Sequence, residues 1–304
     1  MDILMYACSL DKYMRKAPVI HLRGVDSSIG QAFVERILRT DAHLVVPKKH
    51  QQKISLQYAT ELEYGEGEIH SSDEVPLSQG HRLILIGLGP FDEESDGDAG
   101  FEVDGLEVIL MTPAHYDFEV DTEWLDCHVM VHDVLPRTPD STWCSKLLEE
   151  WVNQLRSNTV PLQKGDVRHW WVSDIDVADA FVRILMSDEP FPSELKVSGR
   201  RAWEQSQTLE ELSLLFARTM AGRTGDFGIE HLTAAPTPTI EVKTLTAPST
   251  EPMSVEENAQ LRPDLSPLHD VLVRVDGDGW RPLIPIRTAL MHSLAGYLQS
   301  DQSV

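Results

Sequence analysis

The chain has 304 residues, 41% of them hydrophobic and 25% charged, which is enough apolar material for an α/β core with a small extra lobe. Its 49 acidic residues against 26 basic ones give a net charge of −23, and a field of that sign repels phosphate backbones and anionic lipid, so neither nucleic-acid nor membrane binding is expected. The three cysteines, Cys8, Cys127 and Cys144, stand at no metal-like spacing, and no apolar run approaches the roughly 20 residues that span a bilayer; a disulfide framework, a metal site and a membrane span are not expected.

The start, Met1 to Cys8, is short and carries Asp2, which makes a poor signal peptide, and a cytoplasmic location is the expectation. Pro18-Val19-Ile20-His21-Leu22 reads as a strand ending in Arg23-Gly24. After a polar turn, Ile29, Phe33, Val34, Ile37 and Leu38 recur at helical spacing, so strand, turn and helix (27–38) follow in order. Ala42 to Val46 is a second strand, stopped by Pro47. Arg82 to Gly87, Leu106 to Met111 and Cys127 to Val131 are three more. Apolar runs of this length suit a parallel sheet buried on both faces, and helices between them make a doubly wound α/β fold.

The acidic stretch 92–98 has no helical period and reads as a loop. Trp143 to Leu155 reads as a helix entered through Asp140 and Ser141, and Val177 to Met186 as another with Ser173 and Asp174 as caps. Thr208-Leu209-Glu210-Glu211 has a capping-box pattern opening a helix to about Met220. Ala234 to Pro252 is rich in Pro, Thr and Ala and is expected to form a mobile linker. A last amphipathic helix is predicted over Ile286 to Leu298. The chain divides into a Rossmann-like domain, 1–188, and a smaller, interleaved lobe, 189–304.

Four stretches together resemble the extended short-chain dehydrogenase/reductase family, the nucleotide-sugar epimerases and dehydratases. They are Gly24-Val25-Asp26-Ser27-Ser28-Ile29-Gly30, Val167 to Ala180, Leu195 to Gly199 with the helix after it, and Gly279-Trp280-Arg281-Pro282 with the final helix. The resemblance implies a Rossmann-like parallel sheet, an NAD or NADP cofactor and a nucleotide-sugar substrate. On this reading Gly24, Ser27, Ser28, Ile29 and Gly30 form the cofactor turn. Ser27 stands where the family has its second glycine, the position at which backbone approaches phosphate, so the turn is either a cofactor site or a structural turn. The second strand ends in Lys48 and Lys49 rather than in a ribose-binding acid. If a dinucleotide binds, Lys48 favours NADP; otherwise the pair is a solvated loop.

Family chemistry uses a Tyr-x-x-x-Lys helix, and none of the six tyrosines here has a lysine four residues on. Only Thr112 to Asp126 separates two strands where that helix belongs. Candidate replacements are His115 and Tyr116, with Asp117, Glu119, His132 and Asp133 nearby; a plain polar loop is the alternative. Arg168 and His169 either meet a substrate phosphate or pack. Asp174 and Asp176 read as helix N-terminal acids rather than metal ligands. Three functions follow: a catalytically silent pseudoenzyme acting as a nucleotide-binding or protein-interaction subunit, with a second copy of itself or another protein as partner; an active epimerase, dehydratase or reductase with non-standard residues; or an NADP-sensing regulator.

Overall fold

Runs of branched aliphatic residues, each four to seven long, build the centre of the structure. The computed structural model describes residues 17–89, 91, 101, 103–116, 124–144, 146–159, 167–228 and 262–300. The acidic stretch 92–98 and the Pro/Thr-rich stretch 234–252 lie outside them. Strands β1 (Val19–Arg23), β2 (His43–Val46), β3 (Glu68–Ser71), β4 (Arg82–Ile86), β5 (Glu107–Pro113), β6 (Cys127–Val131) and β10 (Glu194–Val197) form one sheet in the order β10-β6-β5-β4-β1-β2-β3. Every pairing in it is parallel. The order runs outward in both directions from β1 and β4, which is the Rossmann arrangement and places a crevice at their carboxyl ends. The expected central position of the 18–22 strand holds.

Two strands differ from expectation. Glu-Ile-His-Ser of β3 carries too little apolar character to be read as a strand, because an edge strand is covered on one side only. Glu194–Val197, expected in the lobe beyond residue 188, is the opposite edge of the main sheet, paired with β6.

One face of the sheet packs on helices α1 (Ser28–Ile37), α5 (Asp174–Leu185) and α7 (Ser266–Asp276). Alternate strand residues Ile20, Leu22, Leu44, Ile84, Ile109, Val129 and Leu195 supply it, as the two-residue period of a strand requires. Phe33 of α1 meets Phe181 of α5 across 6.4 Å between ring centres. Helices α2 (Lys48–Gln57) and α3 (Ala59–Tyr64) connect β2 to β3. The opposite face is different. Leu83, Leu85, Val108 and Leu110 are covered by Leu77, Phe91, Phe101, Val103 and Leu125, and no described helix joins them. The described parts of the connections 72–81, 87–106 and 114–126 contain no helix. Burial on both faces, expected of every strand, fails at β6, whose residues alternate between buried and half-buried.

A second apolar cluster lies at the carboxyl side. It joins α4 (Lys146–Arg156), α6 (Gln205–Thr224) and α8 (Ile286–Ser300) to Leu135 and Trp171. Short strands β7 (Val134–Leu135) with β9 (Val172–Ser173), and β8 (Arg168–His169) with β11 (Trp203–Glu204), link this cluster to the sheet. Helix α4 starts at Lys146 rather than Trp143; Trp143 and Cys144 are buried in the turn before it. Helix α6 begins one turn before Thr208. Gln207 accepts the Glu204 N–H at 3.3 Å, so a Glu–Gln pair caps the helix. Thr208 is instead buried and accepts the Trp171 indole N–H at 3.0 Å. No described helix is long and apolar enough to cross a membrane.

Ser173 caps α5, accepting the Ile175 N–H at 3.3 Å. The two aspartates after it do more than complement the helix dipole. Asp176 reaches 107 residues along the chain to accept the N–H groups of Leu283 (2.8 Å) and Ile284 (3.2 Å), which anchors the approach to α8. Burial raises its carboxyl to about 6, with those N–H bonds working the other way. Because the folded value lies above the unfolded one, the folded state takes up a proton between about pH 6 and pH 4 and gains stability as pH falls through that window. Urea unfolding of wild type and Asp176→Asn should therefore diverge between pH 7 and pH 4, wild type gaining up to about 3 kcal/mol relative to the variant. A pH-independent difference between the two proteins would contradict the assignment.

Candidate functional site: a glycine turn filled by an internal carboxylate

The turn between β1 and α1 is shaped by two glycines. Gly24 has φ +78°, and a Cβ on it would lie 2.1 Å from the Ile86 carbonyl oxygen. A Cβ on Gly30 would lie 2.2 Å from the Gly24 oxygen. Both positions therefore need glycine, one to bring β1 against β4 and the other to bring helix against strand. Ser27 caps α1: its hydroxyl donates to the Gly24 carbonyl (2.7 Å) and accepts the Gly30 N–H (2.9 Å). Ile29 is wholly buried in the core under the helix.

The free N–H groups at such a helix start form an anion site. Here the anion is part of the chain. The Ser28 N–H donates to the Asp140 carboxylate at 3.0 Å, and the Ser28 hydroxyl donates to Asp174 at 2.5 Å. Helix α1 has no acid in its own first turn, so Asp140 supplies the negative charge that the dipole favours. The segment carrying it is firmly held. The Arg137 N–H donates to Ser28 Oγ and to Asp174, both at 3.1 Å. The Arg137 guanidinium reaches Glu35 at 2.6 Å and Asp174 at 3.3 Å. Burial works to raise the Glu35 carboxyl, and Arg137 overrides it and holds the group below the usual range. On the other side Ser293 donates to the Pro136 carbonyl at 2.7 Å, and Gly296 lets α8 approach so closely that a Cβ would lie 2.2 Å from the Arg137 oxygen. The Asp140 carboxylate also accepts the Thr142 N–H at 3.0 Å.

A dinucleotide does not fit this turn as it is built. Its pyrophosphate needs the helix-terminal N–H groups and close backbone approach. Ser28 N–H is bound by Asp140, Gly30 N–H by Ser27, and Asp140 and Asp174 would face the phosphates with like charge. The basic group expected for a 2′-phosphate is also matched: Lys48 opens α2 and pairs with Asp73 at 2.7 Å, both exposed.

The remaining candidates gather at the carboxyl edge of β5, β6 and β8. His115 and Tyr116 follow β5 at the surface with their rings 4.7 Å apart. Asp133, just past β6, has φ +49°, a conformation rare outside glycine. Its carboxylate meets His169 Nδ1 at 2.9 Å and accepts the Trp170 N–H at 2.7 Å. His169 Nε2 lies 3.4 Å from the Gln205 amide nitrogen, and the ring stacks on Trp171 with centres 4.5 Å apart. With Nδ1–H donated to Asp133 and Nε2 accepting from Gln205, both ring nitrogens are engaged. Of the two readings of His169, phosphate contact or packing, its burial favours packing: it fastens β8 to the β6–β7 turn. Arg168, its neighbour, is exposed. Trp170 and Trp171 are both buried. His132 Nε2 is buried with no hydrogen-bond partner among the described residues, and burial lowers its imidazole below the ordinary range against the pull of Asp133.

Sequence reasoning missed Arg137 and Glu35 and treated Asp140 only as a helix entry. Nothing local marks them, since Asp140 and Ser28 are 112 residues apart. No protein-family model and no curated protein matches this sequence. Solved structures do match. The yeast methylglyoxal/isovaleraldehyde reductase complexed with NADPH is similar over 94% of this chain and 100% of its own, at 11% identity and a TM-score of 0.50. The UDP-N-acetylglucosamine 4-epimerase from Methanobrevibacter ruminantium covers 94% and 100% at 11% identity and 0.49. The UDP-glucuronic acid 4-epimerase from Bacillus cereus covers 93% and 99% at 9% identity and 0.47. The likeness at these identities is one of fold: a Rossmann-like α/β protein with a seven-stranded parallel sheet flanked by helices.

The Arg137 network gives a stability test. Arg137→Ala strands the fully buried Asp174 carboxylate and should destabilise by about 3 kcal/mol in denaturant unfolding. Combining it with Asp174→Asn should cost less than the two single losses together, because the buried Asp174 charge is then gone. Strict additivity would show that the two groups do not act as a pair.

Proposed function

We propose that this chain is a catalytically silent relative of the extended short-chain dehydrogenases, a pseudoenzyme that keeps the fold as a scaffold for protein interaction. The observation that carries the reading is the Asp140 carboxylate on the Ser28 N–H, which occupies the group a cofactor pyrophosphate would use. Three others support it. The proton-shuttling Tyr-x-x-x-Lys pair is missing from the sequence. The described part of the connection between β5 and β6, where the family's catalytic helix belongs, contains no helix. His169, at the carboxyl edge of the sheet, has both ring nitrogens engaged and offers no free base. The reading as an active enzyme would need His115 or Tyr116, both exposed at the surface after β5, to supply the general base, a contribution worth about 10²–10⁴ in rate. An NADP sensor would need Asp140 to leave the turn against the ties on Arg137 and Pro136. Both are weaker for those reasons. A cytoplasmic, acidic subunit binding a protein partner or a second copy of itself is the form the proposal takes.

Calorimetry tests it. Wild-type protein should give no binding heat with NADP, NAD or a UDP-sugar at about 1 mM ligand, the weak end of measurable affinity. The Asp140→Ala variant, with Ser27→Gly added to restore the glycine pattern, should bind NADP at least tenfold more tightly than wild type. Micromolar binding by the wild type, or multiple turnovers with any nucleotide sugar, would overturn the proposal.

A further inference from the structure

The geometry points to a divalent-cation site of the zinc class at His43, Glu68 and His70, on the amino-terminal edge of the sheet and away from the glycine turn. His43 and Glu68 are register partners on β2 and β3, and His70 is two residues beyond Glu68. The two-residue period of a strand puts all three on one face. Their ligating atoms form a nearly equilateral triangle. His43 Nδ1 lies 3.1 Å from Glu68 Oε2 and 3.2 Å from His70 Nε2, and His70 Nε2 lies 3.2 Å from the same Glu68 oxygen.

Hydrogen bonds alone satisfy this triangle poorly. A proton on each nitrogen makes two bonds to Glu68 and leaves the nitrogens facing each other as donors. A proton shared between the nitrogens leaves an acceptor–acceptor edge with the carboxylate. One cation in front of the triangle satisfies all three edges together. Bonds of about 2.0–2.1 Å to a single ion set ligand atoms about 2.9 Å apart on an octahedral face and about 3.4 Å apart on a tetrahedral one, which brackets the observed spacing. Two imidazoles and a carboxylate are the donor set of borderline divalent ions, not of calcium or magnesium. The side chains are 36% (His43), 60% (Glu68) and 30% (His70) exposed, so an ion can enter and water can fill the open positions. The chain's net charge of −23 draws cations to the surface. Bridging β2 to β3, the ion would clamp the outer edge strand of the sheet. Cysteine spacing, the usual guide to such sites, is blind to a triad assembled across two strands.

The test uses full-length, untagged protein stripped with chelator. Titration with Zn²⁺ should show one equivalent bound per chain and a rise in melting temperature. His43→Gln, His70→Gln and Glu68→Gln should each weaken Zn²⁺ binding at least tenfold and remove the thermal shift, with circular dichroism unchanged. His115→Gln, at the other edge of the sheet, should bind as wild type does. The exposed Glu68→Gln variant keeps the test decisive should a histidine variant fold poorly. Absence of stoichiometric Zn²⁺ binding in the wild type, or binding that survives Glu68→Gln with unchanged affinity, would overturn the assignment.

Discussion

The structure turns on a carboxylate held at the amino-terminal end of a helix from a distant part of the chain. The start of α1 presents N–H groups with the positive end of the helix dipole behind them, which favours a nearby anion. Asp140 does so from a segment fixed on both sides: Arg137 ties it to Glu35 and Asp174, and the Pro136 carbonyl ties it to Ser293 of α8. That one arrangement joins the sheet, the helix behind it and the carboxyl-side helical cluster. An anion that belongs to the chain meets these N–H groups intramolecularly, without the association cost that a free anion would carry.

The sheet is correspondingly asymmetric. Helices α1, α5 and α7 cover one face, built from residues such as Ile20, Ile84 and Val129. The other face carries a small patch around Leu83, Leu85, Val108 and Leu110, bordered by polar side chains. His21 meets His81 at 3.0 Å there, and Thr112 meets His128 at 2.9 Å. Burial and the neighbouring Arg23 and His81 lower the His21 imidazole to about 3, so it is neutral at ordinary pH. Parallel sheets normally bury both faces under helices. Among the described residues no helix covers this second face.

Much of the fold was legible along the chain. β1, β2, β4, β5 and β6 are apolar runs bounded by Gly, Pro or polar turns, and α1, α5 and α8 repeat their apolar residues at helical spacing; such local patterns survive folding because each element buries the stripe it displays. The edge strand β3 was not legible, because Glu68 and His70 are free to be polar where one side meets water. The helix start at Gln205 was misread because Gln207 caps as well as a Ser or Thr would, while Thr208 serves the indole of Trp171. The candidate site was legible only in part: the glycine turn and the missing Tyr-x-x-x-Lys were visible, whereas the sequence left Lys48 and His169 open between ligand and structural roles, and their partners Asp73 and Asp133 are seen only in space.

What the sequence by itself determined is the order of the central strands and of α1, α5 and α8, the glycine turn at Gly24 and Gly30, and the absence of a Tyr-x-x-x-Lys pair. These are one-dimensional facts of spacing and residue type. Tertiary structure alone decided what meets what. It brought Asp140 to Ser28 across 112 residues, Asp176 to Leu283 across 107, and His43 to Glu68 across two strands. The physical reason is that charge pairing and backbone capping depend on distance in space, and the chain reaches those distances only through crossovers that no local pattern encodes.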